Sequence, residues 1–258
     1  MGKVRLTLAL AFVVQCTAQD RLWLRDGWLI ESSEVARESG KALSTARYKP
    51  AGWYNARVQS TEVAALVANG VFADPYFGTN LRAIPGTTYP IGENFSNIAM
   101  PPGSPFRTPW WCRTEFRLPE SFRGKTIWLH FDGINYRANI WLNGKRIAGA
   151  DYVAGSFRIY EFNITGDVTS DGPNALAVQV FPPQPDDLAI TFVDWNPAPP
   201  DKNMGLYQGV YLTATGPVAV RHPLVVAKVE TPSLATARLT VSAELRNSAA
   251  RALKLSLI

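Results

Sequence analysis

The stretch Thr126–Ile147, TIWLHFDGINYRANIWLNGKRI, constrains the fold more than any other part of the chain. Ile127, Leu129 and Phe131 alternate with Trp128 and His130, the period of a strand with one buried face. After Asp132-Gly133, a second run sets Ala138, Ile140 and Leu142 on one side and Asn139 and Trp141 on the other. It ends at Asn143-Gly144, a dipeptide that accepts the positive φ angles of a type I′ turn, and Lys145-Arg146-Ile147 begins a return strand. The pattern predicts a β-hairpin in the middle of an antiparallel sheet, with 125–131 and 137–142 as its paired strands. Trp128 and Trp141 interrupt the polar face, so that face is expected to be covered too, as in a two-sheet sandwich.

The rest of the chain supplies material for a second sheet. Alternating runs predict strands over 111–118, 157–162, 175–181 and 209–215, with Gly172-Pro173-Asn174 and Pro182-Pro183 as punctuation. One short helix is expected between Ser60 and Gly70, with a hydroxyl at its N-cap, Glu62 in its first turn and glycine just past its end. Residues 71–109 read as a long ordered loop packed by its own aromatics, and 190–207 as a second long loop. Gly216-Pro217 and His222-Pro223 look like a linker. Beyond it, 224–229 and 237–245 alternate as strands and 253–258 begins a third. Residues 221–258 are too few to close a core, since an immunoglobulin-type sandwich needs about 100 residues. The chain is therefore expected to stop partway through a second domain, the alternative being a tail that packs back on the first.

Residues 1–18 read as a secretory signal peptide: Lys3 and Arg5, an apolar run from Leu6 to Val14, then Cys16-Thr17-Ala18. That run is far short of the ~20 residues needed to span a bilayer, so a secreted or periplasmic location without membrane attachment is expected. Cys112 is then the one remaining thiol, with a structural role beside Trp110-Trp111. The net charge of +5 falls to +3 without the leader, and no Lys/Arg run suggests a nucleic-acid partner.

Self-contained catalytic motifs are missing: there is no Gly-x-Ser-x-Gly, His-Glu-x-x-His or Cys-x-x-Cys. His130 sits mid-strand and His222 precedes proline, so both read as structural. No catalytic residue, metal ligand or cofactor is assigned. The candidate binding residues are Asp194, Trp195 and Asn196. A carboxylate and an amide beside an aromatic ring match the hydroxyl edge and the C–H face of a sugar, in a loop stiffened by Pro197, Pro199 and Pro200. The competing reading is a surface loop whose tryptophan anchors it to the sandwich. Asp186, Asp187 and Asp201 are weaker candidates. No carboxylate pair can be given the fixed separation that glycoside cleavage requires.

Several ordered motifs resemble the N-terminal domain of glycoside hydrolase family 2. They are Trp110-Trp111-x-Arg113-Thr114-Glu115-Phe116, His130-Phe131-Asp132-Gly133-Ile134-Asn135-Tyr136-Arg137-Ala138 and Trp141-Leu142-Asn143-Gly144. Asp194-Trp195-Asn196-Pro197 with Pro199-Pro200-Asp201-x-Asn203-Met204-Gly205 is similar to the branch holding exo-β-D-glucosaminidases and endo-β-mannosidases, as are Asp74-Pro75-Tyr76-Phe77-Gly78 and residues 64–70. The resemblance implies an all-β chain: a galactose-binding-like jelly-roll sandwich over 19–220, then the truncated start of an immunoglobulin-like sandwich over 221–258. It also implies a (β/α)₈ barrel carrying two catalytic glutamates, which this sequence does not reach. The implied function is the non-catalytic N-terminal portion of a secreted glycosidase, exo-acting on β-linked glucosamine or mannose. Its partners would be that glycan and the catalytic barrel, with Asp194, Trp195 and Asn196 on the rim of the substrate pocket. A free-standing carbohydrate-binding module and a purely structural β domain are the alternatives.

Overall fold

The computed structural model describes residues 21–87, 99–190 and 198–254. The expected signal peptide, 1–18, lies outside them. In chain order the elements are β1 (Arg21–Trp23), β2 (Trp28–Ser32), α1 (Gly40–Leu43), β3 (Tyr54–Ala56), α2 (Glu62–Ala68), β4 (Trp110–Phe116) and β5 (Thr126–Phe131). They continue with β6 (Arg137–Leu142), β7 (Lys145–Ala148), β8 (Tyr160–Asn163), β9 (Asn174–Phe181) and β10 (Val210–Thr215), then β11 (Val218–Val229) and β12 (Ala237–Asn247). The first ten strands form a four-stranded sheet, β1-β10-β5-β8, and a six-stranded sheet, β3-β2-β4-β9-β6-β7. Every pairing is antiparallel.

The central stretch differs from its expected pairing. β5 lies in the four-stranded sheet and β6 in the six-stranded one, so the two are not partners. The five residues Asp132–Tyr136 cross from one sheet to the other. Alternation reports which face of a strand is buried, and two facing strands of a sandwich carry the same pattern as two neighbours in one sheet. The hairpin that does form is β6–β7, at the sheet edge, turning on Asn143 (φ 49°) and Gly144 (φ 83°). Its turn is bound into the fold, since Asn143 accepts from Ala175 N at 2.9 Å and donates to Asp167 O at 2.8 Å.

The core follows from strand register. In the four-stranded sheet Val210 opposes Phe131, Leu212 opposes Leu129 and Ala214 opposes Ile127. In the other, Ala138, Ile140 and Leu142 oppose Val180, Val178 and Leu176. All are buried in one hydrophobic cluster between the sheets.

The outer faces are covered as expected, that of the six-stranded sheet by a connecting segment and part of that of the four-stranded sheet by the root of the β11–β12 hairpin. Residues 33–53, including α1, lie over the six-stranded sheet, where Leu43, Ala36, Trp111 and Ala177 form a second small core flanked by Tyr48, Trp53 and Trp141. The buried Arg113 ties this cover down, its Nε donating to Leu43 O at 2.8 Å and its Nη2 to Thr45 O at 2.9 Å. Gly40 is where the cover touches the sheet, because a Cβ there would lie 2.4 Å from Trp141 Nε1. Trp128, on the outer face of the four-stranded sheet, lies under the Arg221 guanidinium, 5.3 Å from its ring centroid.

Three further expectations need correction. Residues 157–159 are not strand: Phe157 and Ile159 are exposed, and Arg158 turns back to donate to Ala154 O at 3.2 Å. His222-Pro223 is no linker but a bulge inside β11, where the register with β12 shifts between Arg221 and Leu224. Proline removes a ladder donor and His222 takes φ 49°, so the strand accommodates both only by bulging. Leu253 and Lys254 are not strand, and 255–258 lie outside the described residues. The long loop after α2 packs only partly on its own aromatics: Phe106 meets Phe72 at 6.4 Å and Trp110 of β4 at 5.9 Å, whereas Tyr76 and Phe77 are exposed and 88–98 lie outside the described residues.

Candidate functional site

The candidate binding residues Asp194, Trp195 and Asn196 lie outside the described residues, which resume at residue 198. The 198–207 segment, the β5–β6 crossover, the 152–159 turn and the start of α2 converge at one end of the sandwich. Asn135, fully buried in the crossover, is the hub. Its Nδ2 donates to Lys202 O and Asn203 O, both at 2.9 Å, and its Oδ1 accepts from Ser156 Oγ at 2.7 Å and Ile190 N at 3.3 Å. Its main chain exchanges two hydrogen bonds of 3.1 Å with Gly205. A single amide thus holds the residue before the 191–197 segment and the turn after it. An apolar residue of similar size would take this partner from four groups, two in buried and two in partly buried hydrogen bonds.

Asp201 makes the second brace. It is fully buried, its Oδ2 accepting from Val63 N at 2.8 Å and its Oδ1 from Asn203 N at 2.9 Å. One carboxylate therefore caps the first turn of α2 and closes the turn that follows residue 198. Burial pushes its pKa up to about 6, while the hydrogen bonds from Val63 and Thr61 oppose the rise. Lys202 and Asn203 take positive φ, 50° and 58°, and Gly205 is required by contact, since a Cβ there would sit 2.9 Å from Ser60 O. Tyr207 Oη donates to Ser156 O at 2.5 Å. Beside this frame runs a groove of about 800 Å³ lined by Thr61, Ala64, Tyr76, Pro199, Asn203 and Tyr207.

Of the other carboxylates, Asp186 is exposed, whereas Asp187 and Glu62 are engaged structurally. Asp187 pairs with Arg137 and accepts from Gln184 N at 2.9 Å. Glu62, predicted as a first-turn helix charge, is buried and accepts from the Cys112 thiol at 3.3 Å. Desolvation raises the Glu62 pKa to about 8, with the Asp201 charge adding to the rise, so the side chain is mostly protonated at neutral pH. His130 is structural as read, with Nε2 2.8 Å from Thr213 Oγ1 and its ring stacked on Tyr211 at 4.6 Å. Its pKa falls to about 4 through desolvation and the neighbouring Arg221, Arg21 and Arg246 charges. Among the described residues no three His, Cys, Asp or Glu side chains are grouped as metal ligands. Sequence reasoning missed the bracing roles of Asn135 and Asp201. Asn135 lay within a quoted motif, but a buried amide hub has no spacing signature.

Residues 104–207 match the galactose-binding-like domain of glycosyl hydrolase family 2. The chain is 34% identical to an exo-β-D-glucosaminidase of Streptomyces avermitilis over 86% of its length and 22% of that enzyme's. It is 30% identical to a mannosylglycoprotein endo-β-mannosidase of Lilium longiflorum over 76% of its length and 21% of that protein's. Its fold superposes on the exo-chitosanase CsxA of Amycolatopsis orientalis with a TM-score of 0.76 at 31% identity, covering 90% of this chain and 25% of that one. The chain thus spans about a fifth of the length of the curated relatives it matches. Through residues 104–207 the β-sandwich built around the β5–β6 crossover carries the galactose-binding-like domain of glycoside hydrolase family 2.

Proposed function

We propose that this chain is the non-catalytic N-terminal portion of an exported family 2 glycosidase that removes β-linked glucosamine or mannose from a non-reducing end. In this reading residues 191–197 form one rim of the substrate pocket, Asp194 and Asn196 bonding sugar hydroxyls and Trp195 offering an apolar platform, while a barrel in the longer polypeptide supplies both glutamates. The sandwich supports that barrel. One observation carries the assignment: the two ends of the segment are tied by buried polar groups, Asn135 and Asp201, whose hydrogen bonds are spent on holding loops. Fixed flanks suit a segment that must present side chains in one geometry. The same bracing suits pocket completion better than a purely structural loop.

The test is Asp194→Ala and Trp195→Ala in an enzyme containing this region and its barrel, assayed on a β-glucosaminide and a β-mannoside. Each change should lower kcat/KM at least tenfold on the true substrate with the thermal midpoint unchanged. Unchanged kcat/KM for both would leave only the structural role. Titration of chitosan oligomers into residues 19–258 separates the alternative, because firm binding by the chain alone would make it a free-standing carbohydrate-binding module. Glycoside turnover by the chain alone, abolished by changing one of its carboxylates, would overturn the non-catalytic assignment.

A further inference from the structure

Between the sandwich and the β11–β12 hairpin only Gly216 and Pro217 intervene. Nothing crowds this joint, since a Cβ at Gly216 would meet no atom within 4 Å. The hairpin beyond the bulge has little to hold it, with Leu224, Val225, Val226, Leu239 and Val241 all exposed. At its root the situation is different. Glu161 of β8, on the outer face of the four-stranded sheet, receives one arginine from each strand of the hairpin. Arg221 Nε of β11 lies 2.7 Å from Oε2, and Arg246 Nη1 of β12 lies 2.7 Å from Oε1. Glu161 and Arg221 side chains are each only 12% exposed.

Two oxygens of one planar carboxylate bonded to donors on two different strands fix rotation as well as distance, which a single ion pair cannot do. The surroundings sharpen this. Arg221 lies over Trp128, whose Nε1 donates at 2.9 Å to Oγ1 of Thr215, the last residue before the joint. His130, the register partner of Glu161, has Nδ1 3.4 Å from Oε2. The bulge at His222-Pro223 follows Arg221 directly, so the strand changes direction only after it is fastened.

We infer that Glu161 is the pin that fixes the angle between the sandwich and the β unit that follows it, with Arg221 and Arg246 as its two clasps. It is a positioning residue. Its partners among the described residues are Arg221, Arg246 and His130, and the inference stands whatever the chain's activity.

The test measures the angle directly. Spin labels at Ser170→Cys on the sandwich and Ser242→Cys on β12, in a Cys16→Ser background that leaves only the buried Cys112, report the distance distribution between the two units by pulsed electron resonance. The parent should give one narrow distribution. Glu161→Ala should at least double its width, and Arg246→Ala should widen it less, because one clasp remains. The near-ultraviolet dichroism of the sandwich tryptophans should stay unchanged. Equal widths in parent and Glu161→Ala, or a distribution already broad in the parent, would overturn the inference. If Glu161→Ala does not fold, the partly exposed Arg246 carries the same test, and an unchanged width in Arg246→Ala would count against the pin.

Discussion

Glu62 sits protonated in the wall of the sandwich, and replacing it by glutamine should reshape how the protein tolerates alkali. The side chain is buried, its pKa is raised from 4.5 to about 8 mainly by desolvation, and its hydrogen-bond partner is the thiol of Cys112. In the unfolded chain the same group ionises near its ordinary value. Below pH 4.5 both states hold the proton and Glu62 contributes nothing adverse. As pH rises the unfolded state loses the proton first, so stability drains away until the folded group ionises near pH 8. At about 1.4 kcal/mol per pKa unit, the loss between pH 5 and pH 8 is about 3 kcal/mol. Glu62→Gln keeps an acceptor for the thiol and has no proton to lose, so it should escape that loss. The assay is urea unfolding of both proteins at pH 5, 6, 7 and 8. Their stabilities should differ little at pH 5 and by about 3 kcal/mol more at pH 8, a shift of roughly 6–12 °C in Tm for a domain of this size. Parallel pH curves would refute the reasoning, for they would mean that Glu62 reaches water in the folded state.

Leu129→Ala removes a fully buried side chain from the facing surfaces of the sheets and should cost about 2–5 kcal/mol, read as a lower urea midpoint at unchanged m. Gly40→Ala forces a methyl group against the Trp141 indole and should cost roughly 1–3 kcal/mol by overpacking, seen as a lower Tm with altered tryptophan fluorescence. Arg113→Met leaves the carbonyls of Leu43 and Thr45 without their donor, so protease should cut within 33–53 faster than in the parent while β4 itself remains protected.

Much of the fold was legible because period-2 alternation survives in isolation. The β6 limits agree with the sequence reading, and β9 and β10 agree to within a residue. What alternation could not report is which strand lies beside which. Ile127 and Ile140 both point inward, and nothing local distinguishes partners within a sheet from partners across the core. The same limit applied to covered faces: Trp141 announced burial, but its cover is a glycine in a four-residue helix about 100 residues earlier. Of the site, residue types and proline content marked the 190–207 loop, and Asp201 was noted as a weak candidate. Its bracing role was hidden because its partner, Val63 N, lies 138 residues away. Glu62 does stand in the first turn of α2 as read, but its burial was hidden for the same reason, since its partner Cys112 lies on β4, 50 residues away.

The pairing of β1 with β10 sets an order of events during synthesis. Arg21 and Thr213 are neighbours in the sheet yet about 190 residues apart along the chain. At a ribosomal pace of roughly 5–20 residues per second, the first strand emerges some 10–40 s before its partner exists. Throughout that interval Leu22 and Trp23 have no ladder to join. Whatever shields them then, a chaperone or the nascent six-stranded sheet, decides how much newly made protein reaches the native state.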